Sequence, residues 1–315
     1  MDFQTRNRKL KRAAFVAIVV SGLITIVAYG FPRLGWNTLQ MPAEGSSGLA
    51  VAAGPLPGSV LYSVDRDTDT LAPITVTVNG KALPALDAQE GPDGSWYFIL
   101  NPMGPTPVTN LYVRAKDGTV KQLTTSQTAK YNLSYDAQSG KFMYQVAIDP
   151  SDPSFLVSPD WDLTVYDPTT GNEQVVGEGV NPVLLPGGNS FLYAQVGELL
   201  LGSVGGAATS SVISIPSGTY AVDAAHGKLA IYNDVTHTID LYTLTNGASP
   251  SYDSSLDAEK PDVLAYVNGV LMTASTGKQS DAGKYVFLRP DLGNLNPIIV
   301  TALPNGSPQR LYAYE

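Results

Sequence analysis

From about residue 58 onward, apolar and polar positions alternate in short runs, and turn residues interrupt them roughly every ten residues. Alternation with a period of two predicts half-buried strands rather than helices. One stretch sets the pattern. Glu90-Gly91-Pro92-Asp93-Gly94 reads as a tight polar turn, and Ser95-Trp96-Tyr97-Phe98-Ile99-Leu100 as the strand that leaves it. Versions recur around Gly140, Gly188, Gly227 and Gly269, so that successive steps from Gly94 are 46, 48, 39 and 42 residues. A second strand pair follows each mark, as in Asn110 to Arg114, the turn Lys116-Asp117-Gly118, and Thr119 to Thr124. Asp-Gly and Asn-Gly between alternating runs are strong hairpin signals.

Four strands in a repeat of roughly 40–50 residues describe a β-propeller blade. One blade cannot bury both its faces, so the repeats must circle a common axis. Five repeats are internal. The ends look like parts of a shared sixth. Gly58-Ser59-Val60-Leu61-Tyr62-Ser63-Val64 begins 36 residues before Gly94, and Ile74 to Val78 with Asn79-Gly80 gives another hairpin. Gly306, 37 residues after Gly269, leads into Arg310 to Tyr314. Pairing that last strand with the first blade would close the ring and remove two edges. The expected fold is all-β, a propeller over residues 58–315 with six blades. Seven blades is the next expectation, and a pair of β-sandwiches the dissenting one.

The run Gly91-Pro92-Asp93-Gly94, aromatic strand, Asn110-Leu111-Tyr112-Val113, Asp117-Gly118, Lys121-Gln122-Leu123-Thr124 resembles a repeat of the TolB-like (WD40-like) propellers. Asn181-Pro182-Val183-Leu184-Leu185-Pro186-Gly187-Gly188 is similar to the same opening in weaker form. The resemblance implies an exported propeller that binds proteins or peptides. Kelch, sialidase-type and true WD40 repeats fit worse: Trp161-Asp162 occurs, but without its Gly-His partner.

The N-terminus changes the picture of where this body sits. Arg6 to Arg12 is a basic cluster, and Ala13 to Phe31 is 19 residues without a charge. At 1.5 Å per residue that is ~28 Å, about one bilayer core. Residues 1–12 are then a cytoplasmic tail and 13–31 a transmembrane signal anchor. Tyr29, Phe31 and Trp36 sit at the far interface, and the C-terminal body is exported to the periplasm or cell surface. A cleaved signal peptide competes with the anchor. Against it, the apolar core is long for one, and Gly30-Phe31-Pro32-Arg33 is a poor cleavage site. Residues 32–57, rich in Pro, Gly, Ser and Ala, read as a tether.

Composition agrees with an all-β body: 30 glycines, 23 prolines and 17 tyrosines, with 43% hydrophobic and 15% charged residues. There is no cysteine, which excludes disulfides and thiolate chemistry. Setting aside the six basic and one acidic residues before position 34 leaves 13 basic and 27 acidic, a net of −14. Nucleic acid is not an expected partner for such a surface.

Candidate chemistry is sparse. Asp149, Asp152, Asp160 and Trp161 bracket a long loop, and carboxylates beside an indole can hold a sugar or a cation. They are the candidate ligand-binding residues. The loops 101–107, 149–161 and 276–283 should crowd one end of the ring and form its binding face. Asp65-Arg66-Asp67-Thr68-Asp69 alternates oxygen ligands but lacks the glycine and glutamate of a calcium loop. His226 takes a turn position equivalent to Ser139, and Trp96 a core position. No metal site, cofactor or catalytic constellation is expected. The functional expectation is a non-enzymatic binding or scaffold module for an envelope protein, peptide or glycan. The alternative is an extracytoplasmic carbohydrate-active hydrolase or lyase.

Overall fold

The computed structural model divides the chain into two compact units, Met1–Leu39 and Gln40–Glu315. It describes residues 48–53, 60–65, 70–101, 108–147, 161–206, 210–245, 249–267, 269–276, 285–288, 298–300 and 308–314. The basic tail, the apolar stretch 13–31 and the loops 102–107, 148–160 and 277–284 lie outside the described residues. Among the described residues, no helix is long and apolar enough to cross a membrane.

The described elements are all strands. In chain order they are β1 (Gly48–Ala53), β2 (Val60–Asp65), β3 (Thr70–Pro73), β4 (Thr75–Val78), β5 (Lys81–Glu90), β6 (Trp96–Leu100), β7 (Asn110–Arg114) and β8 (Val120–Gln122). There follow β9 (Lys130–Asp136), β10 (Lys141–Ala147), β11 (Trp161–Asp167), β12 (Asn172–Glu178), β13 (Val180–Leu184), β14 (Ser190–Gln195), β15 (Glu198–Ser203) and β16 (Ser210–Ser214). The last are β17 (Tyr220–Asp223), β18 (Lys228–Asn233), β19 (Thr238–Thr243), β20 (Ser251–Asp257), β21 (Val263–Val267), β22 (Val270–Thr276), β23 (Tyr285–Leu288), β24 (Ile298–Val300) and β25 (Pro308–Tyr314).

They form six sheets: β25-β1-β2-β3, β4 to β8, β9 to β12, β13 to β16, β17 to β20 and β21 to β24. Within every sheet the neighbours are antiparallel, as period-two alternation and short turns require. The glycine marks of the sequence fall in the turns that follow β5, β9, β13, β17 and β21. Gly94, Gly140, Gly188, Gly227 and Gly269 have φ of 76°, 70°, 65°, 62° and 73°. That left-handed backbone favours glycine, so the repeat in the sequence is a repeat of one turn.

The ends differ in detail from the sequence reading. The last strand, β25, does join the first sheet, but its partner is β1, with Tyr314 opposite Gly48 and Leu311 opposite Val51. Strand β1 lies inside the stretch read as a tether. The Asn79-Gly80 hairpin forms, with φ of 51° and 78°, but β4 pairs with the first half of β5 and so belongs to the next sheet.

Alternation explains the core. In β10, Phe142, Tyr144 and Val146 pack back toward β6 and β7, whereas Met143 packs forward against Phe191 and Tyr193. In β14, Leu192 and Ala194 face forward to Leu229 and Ile231. In β18, Ala230 and Tyr232 face forward to Leu264 and Leu271. The four sheets from β4 to β20 are thus apolar on both faces, and each stacks between two others. A fully buried side chain such as Phe98 or Tyr232, both 0% exposed, stabilises by about 1.5–3 kcal/mol. A lysine is enclosed as well. Lys130 Nζ donates to Ser126 Oγ at 2.6 Å and Thr128 Oγ1 at 2.8 Å, with Glu173 Oε1 3.5 Å away. Burial pulls the lysine pKa down, and the glutamate charge opposes that.

Candidate functional site

Strands β5, β9, β13, β17 and β21, each just before a glycine mark, stand side by side but share no backbone ladder. Side chains tie them instead. Asp87 Oδ2 accepts from Leu133 N at 2.6 Å, and Gln89 Nε2 donates to Leu133 O at 3.2 Å. Ser134 Oγ accepts from Leu184 N at 2.9 Å, and Asn132 Nδ2 donates to Asn181 Oδ1 at 2.8 Å. Tyr220 Oη donates to Asn181 O at 3.4 Å. Strands joined through side chains stand farther apart than the ~4.8 Å of a ladder. The space they leave is a cavity of about 470 Å³ at the axis.

Its described wall is made by residues 88–90 of β5, 133–135 of β9, 181–184 from β13, 220–226 from β17 and its turn, and 263–266 of β21, with Trp96 and Gly269. The turns at this end are capped by carboxylates. Asp93 Oδ1 accepts from Ser95 N at 3.0 Å. Asp136 accepts from Gln138 N at 3.2 Å and Ser139 N at 3.0 Å, and its Oδ2 also takes Gly187 N of the next sheet at 3.0 Å. Asp223 accepts from His226 N at 3.1 Å in the same way. His226 therefore has the turn role expected from its equivalence to Ser139. Its Nδ1 also lies 2.8 Å from Asp223 Oδ2, and the ring stands 3.5 Å from where a Cβ on Gly269 would sit, in ordinary contact.

Two wall tyrosines are electrostatically distinct. Burial pushes the Tyr135 hydroxyl up to about 12, helped by Tyr97, Asp93 and Asp136. Burial also pushes Tyr266 up to about 12, with Asp223 and Asp253 adding to it. Lys228 Nζ stands 6.0 Å from the Tyr266 ring centroid and donates to Gly269 O at 3.1 Å.

Of the residues expected to bind ligand, Trp161 opens β11 as a core side chain. It is 6% exposed, and its ring meets Tyr131 edge-on at 5.4 Å. Asp149, Asp152 and Asp160 lie outside the described residues. Trp96, expected in the core, is half-buried. It packs near Phe98 at 6.1 Å and also lines the cavity. The loops expected to form the binding face lie outside the described residues except at their edges, residues 101, 161 and 276. Among the described residues, no group of three or more acidic or histidine side chains could hold a metal ion. Sequence reasoning missed Glu90, Tyr135, Tyr220, Asp223 and Tyr266. All lie three to seven residues before a glycine mark, and that offset was the available signal.

No family model matches the chain, and no curated protein matches it. Solved structures do. TolB from Acinetobacter baumannii is 13% identical, with a TM-score of 0.52 over 85% of this chain. The match spans 66% of the TolB chain, so a third of that protein has no counterpart here. A Bacteroides fragilis protein provisionally named a 6-phosphogluconolactonase is 8% identical. It covers 88% of this chain and 100% of its own, with a TM-score of 0.43. At 13% identity the likeness to TolB is one of fold: an all-β assembly of four-stranded sheets, a β-propeller.

Proposed function

We propose that the protein is a six-bladed, TolB-like propeller, tethered to the cytoplasmic membrane by residues 13–31 and exported. In this reading it is a non-enzymatic module that captures an envelope protein, peptide or glycan in its axial cavity. The cavity carries the proposal. It is about 470 Å³, within the range of ligand pockets, and its wall mixes aromatic, aliphatic and carboxylate side chains from five sheets. The uncharged 19-residue stretch after a basic cluster supports the tether.

A photo-crosslinking amino acid at Ala225, on the cavity wall, tests it against one at Val235, which is 83% exposed. The expected result is one discrete adduct in whole cells from position 225, none from 235, and loss of the adduct when Ala265→Trp fills the cavity. Equal adducts from both positions, or an adduct indifferent to Ala265→Trp, would remove the cavity from the function.

A hydrolytic reading has one observation in its favour. Asp223 fixes Nδ1 of His226, which leaves Nε2 as a proton acceptor at the cavity wall. The Asp136–Ser139 turn repeats the Asp223 cap without a histidine, so the cap itself is structural. Turnover across a glycan panel that disappears in His226→Gln would favour hydrolysis. Turnover lost instead with Asp152→Asn or Asp160→Asn would return the chemistry to the 149–161 loop.

A further inference from the structure

The described wall of the cavity holds two carboxylates, Glu90 and Asp223, and no lysine or arginine. Four aromatic rings share it: Trp96, Tyr135, Tyr220 and Tyr266. Acids of one sign in a concave, half-apolar site focus a negative potential inward, and ring faces attract cations within about 6 Å. Tyr266 already shows that chemistry at the rim, where Lys228 Nζ sits 6.0 Å from its centroid. The field of the whole body has the same sign, with a net of −14 beyond residue 33. His226 adds positive charge only when protonated, and Asp223 then faces it at 2.8 Å. Of β25, the strand of the first sheet that neighbours β21, only the backbone is described.

We propose that the cavity selects a cationic group, the guanidinium or ammonium of an arginine or lysine side chain presented by a protein partner. This rests on the binding reading above and narrows its ligand to a basic protein segment. The space is too small for a folded domain and large enough for one long basic side chain with its flanking backbone. The carboxylates supply charge, the rings cover the methylene stem, and Gln89 and Ser134 offer polar contacts to the peptide.

The test uses the full chain in detergent micelles and four blocked tripeptides, Gly-X-Gly, with X arginine, lysine, norleucine or glutamate. Binding is read from the indole Nε1–H resonance of Trp96, assigned by Trp96→Phe. The arginine and lysine peptides should shift that resonance. They should bind at least about tenfold more tightly than norleucine, which is ~1.4 kcal/mol, and weaken as salt is raised. Glu90→Gln should lower the affinity several-fold. Asp223→Asn should lower it too, and because Asp223 also caps a turn, Glu90→Gln is the cleaner variant. If norleucine moves Trp96 as strongly as arginine, the cavity still takes peptide and the binding reading stands, but cation selection is wrong. Preference for the glutamate peptide would also overturn it. If no tripeptide moves Trp96 and the crosslink at position 225 ignores Ala265→Trp, both readings fail together.

Discussion

Removing the Asp136 carboxylate should loosen two sheets at once. Its side chain is 7% exposed and accepts three backbone N–H groups: Gln138 at 3.2 Å, Ser139 at 3.0 Å and Gly187 at 3.0 Å. The first two close its own turn, and the third belongs to the turn of the next sheet. A hydrogen bond to a charged acceptor contributes about 1.5–3 kcal/mol. Gln138 is exposed and can turn to water, so the loss in Asp136→Ala should be about 2–4 kcal/mol rather than the full sum. For a body of this size that is a fall of roughly 5–15 °C in melting temperature, read from the β signal in circular dichroism. Asp167→Ala is the control. Asp167 Oδ1 accepts Thr169 N at 2.9 Å within one exposed turn and reaches no other sheet. Its loss should be much smaller, and amide exchange at Gly187 should quicken only in the Asp136 variant. If the two variants melt together, the bond between sheets contributes nothing and the account of how the strands before the glycine marks are held is wrong.

Other expectations follow from single side chains. Tyr131 is 2% exposed and its hydroxyl has no hydrogen-bond partner among the described residues, so Tyr131→Phe should raise stability by about 1 kcal/mol in urea unfolding. A loss of that size would mean the hydroxyl is satisfied in solution. A Cβ on Gly202 would collide with the Phe191 ring, which is 1% exposed, so Gly202→Ala should cost about 1–3 kcal/mol by the same assay. Tyr135 and Tyr266, raised from 10.0 to about 12, keep their protons in the folded state while the unfolded chain ionises near 10. Stability should therefore fall as pH rises from 10 toward 12. Absorbance at 295 nm should show late-ionising tyrosines that titrate early once the protein is unfolded.

The architecture was legible because one turn recurs. Gly94 and its four successors need a left-handed backbone, and no neighbouring residue type hides that requirement. Alternation in β10, β14 and β18 was equally readable, since each strand must feed two cores. The cavity was not. Its wall comes from the strands before the glycines, where the lining segments are mixed in character: Ala88-Gln89-Glu90, Leu133-Ser134-Tyr135, Ala221-Val222-Asp223. Strands that face a partly polar axis on one edge lose the clean apolar signal that marked the others. Trp161 shows the opposite case: its neighbours in the sequence are acidic, whereas in the fold its ring meets Tyr131 in the core. Strand β1 escaped notice because Gly48-Leu49-Ala50-Val51-Ala52-Ala53 is built of small residues and gets its strand identity from β25.

That last pairing sets a schedule for the newborn chain. Gly48 emerges 266 residues before its partner Tyr314. At ~5–20 residues per second, β1 waits roughly 15–50 s with one edge open. During that time any other extended segment can occupy the place reserved for β25. The protein is thus most vulnerable to mispairing while it is being made, and a chaperone that shields residues 48–53 would protect the whole assembly.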